Sequence, residues 1–196
     1  ADVSALKNLT DEVPGKAVKL AKAFWPGPLT MIVKKSAAVP YETTGGMDTV
    51  AVRMPNHPIA LALIAASGTY IAAPSANTSG RPSPTAAEHV MTDLNEKIPL
   101  ILDGGSVGIG IESTIIDLTE ETPMILRPGY ITQEMLQEVL GEKVCMDPGI
   151  IASDSTRKPK APGMKYKHYA PKADLVLVEG ETDKVVARIN ELVREK

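Results

Sequence analysis

Between Ala73 and Thr85 the sequence sets Ser75, Asn77, Thr78, Ser79 and Ser83 among prolines and a glycine. Short hydroxyls and amides of this kind hydrogen-bond phosphates, ribose or an amino acid. The stretch follows an aliphatic run and precedes a helical one, and open α/β sheets bind ligands beyond the carboxyl ends of their strands. A polar surface turn is the alternative; the concentration of these groups at a strand end favours a binding loop. Arg53 and Arg127 each end an aliphatic run and are closely followed by proline. An arginine so placed can clamp a carboxylate or phosphate bidentately, although a solvated surface role stays open for either one. Gly104 to Glu112 contains G-x-G at Gly108 and Gly110 but lacks the Lys-Ser/Thr of a P-loop. It leads through Ser113 and Thr114 into a strand and not a helix, which excludes a dinucleotide fingerprint and reads as a flexible connection. His57, His89, His168 and Cys145 share no ligand spacing, so a protein metal site is not expected. His89 reads as a structural helix residue and Cys145 as a core thiol. No G-x-S-x-G or similar context marks a nucleophile. The chemistry legible here is positioning, without covalent catalysis.

The elements that must position these groups alternate between helical and strand character. Gly15 to Phe24 reads as a helix, with Val18, Leu20, Ala21 and Phe24 on one face and Lys16, Lys19 and Lys22 outward. Trp25-Pro26-Gly27-Pro28 breaks it. Leu29 to Val33 and Val50 to Met54 read as strands, with Pro40 to Asp48 as loop between them. Asn56 or His57 caps a helix to Ala66, with Pro58 in its first turn. Tyr70 to Ala73 and Pro99 to Asp103 read as further strands. Thr85 opens a helix, with Glu88 completing a capping box. Ser113 to Leu118 and Met124 to Leu126 form a predicted hairpin, and Thr132 caps a helix ending at Gly141.

The character then changes. Pro148 to Lys172 has no usable periodicity and carries Arg157, Lys158, Lys160, Lys165, Lys167 and Lys172. It reads as a basic linker. Leu175 to Val178 and Thr182 to Glu195 read as one strand and one capped helix, the start of a second domain. The expected boundaries are therefore 1–147, 148–172 and 173–196.

Composition narrows the classes. The 196 residues are 43% hydrophobic and 23% charged, enough to build a core and unlike a disordered chain. Aromatics are only 4%, so the core is aliphatic and its Gly/Pro-rich loops carry the function. A net charge of −3 excludes a generally nucleic-acid-coating protein but not a local basic patch. The lone cysteine excludes an internal disulfide framework and fits a reducing cytosol. The longest apolar run, Ile59 to Ala66, is too short for a membrane span, and no leader opens the chain. With no initiator Met, the sequence is expected to begin inside something longer.

Five motifs occur in order: Phe24-Trp25-Pro26-Gly27-Pro28-Leu29-Thr30, Ala51-Val52-Arg53-Met54-Pro55, the Ala73–Thr85 loop, Gly110 to Asp117, and Leu126-Arg127-Pro128-Gly129. Together they resemble the Sua5/YrdC/YciO family. Ala161 to Pro171 resembles the interdomain linker of the longer, Sua5-type members. The resemblance implies an open twisted mixed α/β sheet of the YrdC type with a large concave cavity, followed by the start of a Rossmann-like domain. It implies threonylcarbamoyl-AMP synthesis from L-threonine, bicarbonate and ATP in the cytoplasm, with Mg2+ held mainly by the nucleotide. The product would pass to the transferase machinery that modifies adenosine 37 of tRNA. By the same resemblance Arg53, Ala73 and Ser113 would seat threonine, and Thr49, Ser75, Ser83 and Arg127 would bind ATP. Asn77 would serve either substrate, and Tyr166, His168 and Tyr169 would close over the cavity as a lid. The family's opening region, with its Lys/Arg cluster for the triphosphate, is expected ahead of Ala1. Two alternatives stand beside this reading. One is a double-stranded RNA- or tRNA-binding module with a weak, salt-dependent contact through the basic linker. The other is a carbamoyltransferase-related domain, against which the Sua5-like linker argues.

Overall fold

Period-two alternation along the first aliphatic run decides which face of the sheet is covered. The computed structural model describes residues 3–151 and 176–195. Strand β1 (Leu29–Lys34) buries Leu29, Met31 and Val33 in one cluster and Ile32 in a second. The first cluster is the main core. After the short helix α1 (Leu6–Leu9), helix α2 (Gly15–Phe24) lays Ala17, Leu20 and Ala21 on it, an i, i+3, i+4 stripe. Helix α6 (Gln133–Leu140) adds Leu136 and Leu140 and packs beside α2. The expected α2 face is shifted slightly: Ala17 is buried and Val18 only half-buried. Lys16 is not free either. It pairs with Glu142 at 2.9 Å and donates to the Glu121 carbonyl.

The sheet has five strands in the order β2-β1-β3-β4-β5. Strand β2 (Thr49–Val52) runs antiparallel to β1, which runs parallel to β3 (Thr114–Asp117). Strand β4 (Met124–Arg127) returns antiparallel to β3, as the predicted hairpin requires, and β5 (Cys145–Met146) adds a parallel edge. This is a mixed, open α/β sheet. The β3–β4 register shifts between Ile115 and Ile116, next to the end of β4 that carries Arg127.

Helix α4 (Pro58–Ser67) starts with Pro58 at its first position and ends on Gly68 in the left-handed conformation. His57 occupies the N-cap position, yet its side chain caps nothing. No residue of α4 is buried. Its apolar Pro-Ile-Ala-Leu-Ala-Leu-Ile-Ala-Ala run has no polar side to set against the core.

Several expectations need correction. Tyr70–Ala73 and Pro99–Asp103 join no ladder among the described residues and are largely exposed; Leu100 is 69% accessible. Aliphatic composition gave them strand character, but a strand exists only where a neighbour completes its hydrogen bonds. The loop between β1 and β2 contains a single helical turn, α3 (Tyr41–Thr44), closed by Gly45 in the left-handed region. Helix α5 (Ala87–Leu94) is capped from Ala86, and no capping box forms. Thr85 turns instead to His89, whose Nδ1 accepts from the Thr85 N–H at 3.2 Å and lies 3.3 Å from its hydroxyl. Thr132 does cap α6 through the Met135 N–H. Helix α7 (Pro148–Ile151) follows β5. In the C-terminal stretch, α8 (Thr182–Arg194) is present, whereas Val176–Val178 form no strand. Leu175 and most of the basic linker lie outside the described residues. No helix among the described residues is long and apolar enough to cross a membrane.

Candidate functional site at the strand ends

The breaker after α2 builds the frame of the site. The Trp25 indole N–H donates to the Leu29 carbonyl at 2.7 Å, and the Gly27 N–H donates to the Met54 carbonyl at 2.8 Å. These bonds tie the entry of β1 to the segment after β2, where Arg53 lies one residue beyond the strand. Arg53 lines a cavity of about 490 Å3 with Leu6, Trp25, Val52, Met54, Ile64 and Tyr70. The walls are mostly apolar. Arg53 stays exposed to solvent, yet desolvation by the neighbouring walls lowers its pKa, a cost that falls on the charged form. Arg53 has no hydrogen bond or ion pair among the described residues. A cation facing an apolar cavity without an acid is suited to a ligand carboxylate or phosphate.

A second cluster sits where β1, β3 and β4 meet. The half-buried Arg127 donates from Nε to the Ser113 carbonyl at 3.0 Å and from Nη2 to the Ser113 Oγ at 3.1 Å. Ser113 is 8% accessible, and its Oγ lies 2.8 Å from the Thr30 Oγ1. Behind it, buried Thr114 donates its hydroxyl to the Ile131 carbonyl at 2.7 Å and its N–H to the Pro28 carbonyl at 3.0 Å. Gly129 presses against this backbone: a Cβ there would lie 2.5 Å from the Glu112 carbonyl oxygen and 2.6 Å from the Thr114 nitrogen. The Arg-Pro-Gly turn after β4 therefore admits no side chain at its third position.

The polar loop is clamped to α5 by a residue that spacing did not reveal. Asp93 accepts from the Thr78 N–H at 3.0 Å and pairs with Arg81, while its carbonyl accepts from the Thr78 hydroxyl at 3.3 Å. The Thr78 N–H, helped by Arg81, holds the Asp93 carboxyl below its ordinary pKa. Inside the loop Asn77 donates through Nδ2 to the Thr78 and Arg81 carbonyls at 3.0 and 3.1 Å. Its Oδ1 is buried with no partner among the described residues, an open acceptor. The signal that could have found Asp93 was an acid on the helix that follows a loop with one arginine; Glu88 shares that helix but is exposed.

Of the other expected residues, Thr49 is half-buried opposite Lys34 on the β1–β2 ladder. Before it, Asp48 accepts from the Tyr41 hydroxyl at 2.8 Å, which raises the Tyr41 pKa. Ala73 and Ser75 are exposed and Ser83 is half-buried. Arg127 and Ser113 are brought together, and Arg53 lines the cavity beyond β2. Tyr166, His168 and Tyr169 lie outside the described residues. The Gly-rich connection is touched at two points: the Val107 N–H donates to the Thr85 carbonyl at 2.9 Å, and His57 packs on Gly104, where a Cβ would meet the imidazole at 2.6 Å.

The fold and these groups define an open mixed-sheet α/β protein with an arginine after β2, another at the end of β4, and a polar loop clamped to α5. The chain belongs to the Sua5/YciO/YrdC family, whose model, described as telomere recombination, matches residues 1–129. A second model, described as the C-terminal domain of threonylcarbamoyl-AMP synthase, matches residues 131–196. The threonylcarbamoyl-AMP synthase of Pyrococcus abyssi is 53% identical over 98% of this chain and 56% of its own length. That of Bacillus subtilis is 51% identical over 97% of this chain and 55% of its own. The chain thus spans about half the length of the curated relatives it matches. A crystal structure of P. abyssi Sua5 complexed with L-threonine superposes with a TM-score of 0.92 at 53% identity, covering 100% of this chain and 57% of that one. Escherichia coli YciO superposes with a TM-score of 0.52 at 33% identity, over 66% of this chain and 63% of its own.

Proposed function

We propose that the protein carrying this sequence joins L-threonine, bicarbonate and ATP into L-threonylcarbamoyladenylate, releasing pyrophosphate. The observation that carries the reading is the superposition, along the whole chain, on a Sua5 complexed with L-threonine. Arg53, which has no acid partner among the described residues, supports it from its apolar cavity.

The chemistry explains the absence of a nucleophile motif. Bicarbonate takes up a proton and loses water to give carbon dioxide, which the threonine amine attacks; a proton then leaves the nitrogen to give a carbamate, so that the two protons balance. A carbamate oxygen then attacks the α-phosphorus of ATP. The bond between that phosphorus and the bridging oxygen breaks, and pyrophosphate departs. Because the carbamate readily reverts to amine and carbon dioxide, orientation and exclusion of water matter more than a covalent side chain.

In this reading Arg53 clamps the threonine carboxylate, while Ala73 and Ser113 seat the amino acid. Thr49, Ser75, Ser83 and Arg127 hold the nucleotide, with Arg127 facing developing phosphate charge. Asn77 is committed as a donor within its loop, so only its Oδ1 is offered, an acceptor for an N–H of either substrate. Mg2+ would travel with the triphosphate; among the described residues no three His, Cys, Asp or Glu side chains are grouped to hold an ion themselves.

We assign residues 1–147 to the catalytic unit, 148–172 to the linker and 173–196 to the start of the second domain. The pairing of β5 with β4 supports carrying the first unit to Asp147. A cytoplasmic setting and transfer of the product's acyl group to tRNA adenosine 37 follow from the same reading. The test is pyrophosphate release from ATP. It should require L-threonine and bicarbonate together, and release that ignores either one would overturn the assignment.

A further inference from the structure

The motif from Trp25 to Thr30 supplies none of the ligand-binding roles above, yet it is tied down by its own hydrogen bonds. The Trp25 indole, the Gly27 N–H and the Pro28 carbonyl are each hydrogen-bonded, the last to the Thr114 N–H. A Cβ at Gly27 would collide with the Phe24 carbonyl. What this frame fixes is Thr30, the second residue of β1, half-buried and opposite Ile115 in the parallel ladder with β3.

The hydrogen count at Ser113 is informative. A guanidinium only donates, so the Arg127 Nη2 occupies one lone pair of the Ser113 Oγ. Thr30 and Ser113 bring two hydroxyl hydrogens, and the 2.8 Å contact between them consumes one. Neither hydroxyl has another partner among the described residues. Whichever of the two donates in the shared bond, one O–H is left to point elsewhere. An oxygen that already accepts from a cation is a stronger donor, so this remaining hydrogen is polarised toward an acceptor.

We propose that Thr30 is a positioning residue of the amino-acid site: with Arg127 it fixes the Ser113 hydroxyl so that the pair presents one O–H to a carboxylate or carbamate oxygen of the ligand. The proposal rests on the assignment of Ser113 to the amino-acid seat. Thr30 also ties β1 to β3, but a purely structural tie would alter stability without discriminating between substrates.

The experiment is steady-state pyrophosphate release by Thr30→Val, Thr30→Ser and Ser113→Ala in the full protein, with KM taken separately for L-threonine and ATP. Thr30→Val should raise the L-threonine KM about five- to tenfold, the loss of one hydrogen bond, and leave the ATP KM within about twofold. Thr30→Ser, which keeps the hydroxyl, should restore most of the affinity. Should Thr30→Val fail to fold, Thr30→Ala removes the same hydroxyl and carries the same expectation. If Ser113→Ala raises the L-threonine KM and the hydroxyl-free Thr30 variants do not, Thr30 has no such role. If those variants raise both KM values equally, the tie is structural and the proposal is wrong. If Ser113→Ala itself leaves L-threonine unaffected, the seat assignment fails first, and the role of Thr30 falls with it.

Discussion

Arg53 is the most exposed wager at the scale of single residues. Its charge is kept against a largely apolar wall with no acid from the described residues to answer it. Replacing it by Ala should weaken L-threonine binding by roughly 1.5–3 kcal/mol, the range for hydrogen bonds to a charged group, while ATP binding changes far less. Isothermal titration measures both; unchanged threonine affinity would take Arg53 out of the site. Gly129 makes a prediction about stability. Gly129→Ala drives a Cβ into the Glu112 and Thr114 backbone, which cannot swing aside as a side-chain tip can. A loss of about 1–3 kcal/mol is expected in urea unfolding, the cost of overpacking a tight site. Arg53, Ser113 and Arg127 could be singled out from sequence because they stand inside recognisable motifs. The partnership of Thr30 with Ser113 was not, since 83 positions separate them and no local spacing records which strands become neighbours.

The clamp on the polar loop belongs to the scale of elements. Asp93 on α5 holds Thr78 and Arg81, and thereby the turn that carries Asn77. Its folded pKa is depressed. The contribution is therefore fully present above the unfolded carboxyl's pKa of about 3.9 and is lost as pH falls further through the lower folded value. The Thr78 amide proton shift, followed by NMR, should titrate in that acid range and lose the transition in Asp93→Asn. A Thr78 shift that titrates identically in the variant would contradict the clamp. Helices α2 and α6 could be read from sequence because their stripes are long enough to show a period and their ends carry a breaker or a cap. Strand β5 could not, as two residues have no period. Tyr70–Ala73 and Pro99–Asp103 failed for the opposite reason: local composition was strand-like, but pairing is a property of a neighbour.

For the molecule as a whole, one side is packed and another is not. One face of the sheet is covered by α2 and α6, while α4, Tyr70, Ile71, Leu100 and Leu102 present apolar side chains to solvent. A polypeptide of these 196 residues alone should bind the dye ANS with several-fold enhanced fluorescence, since contiguous apolar patches are uncommon on soluble monomers. A monomer that leaves the dye dark would mean that this surface is covered. The central claim concerns chemistry at the strand ends, and its most direct measurement is the product itself. The full protein is incubated with ATP, L-threonine and 13C-labelled bicarbonate, and the nucleotides are resolved by mass spectrometry. The account predicts L-threonylcarbamoyladenylate carrying one 13C in its carbamoyl carbon, absent without threonine and strongly reduced in Arg53→Ala. A threonine adenylate without the labelled carbon, or no adenylated product with all three substrates present, would contradict it.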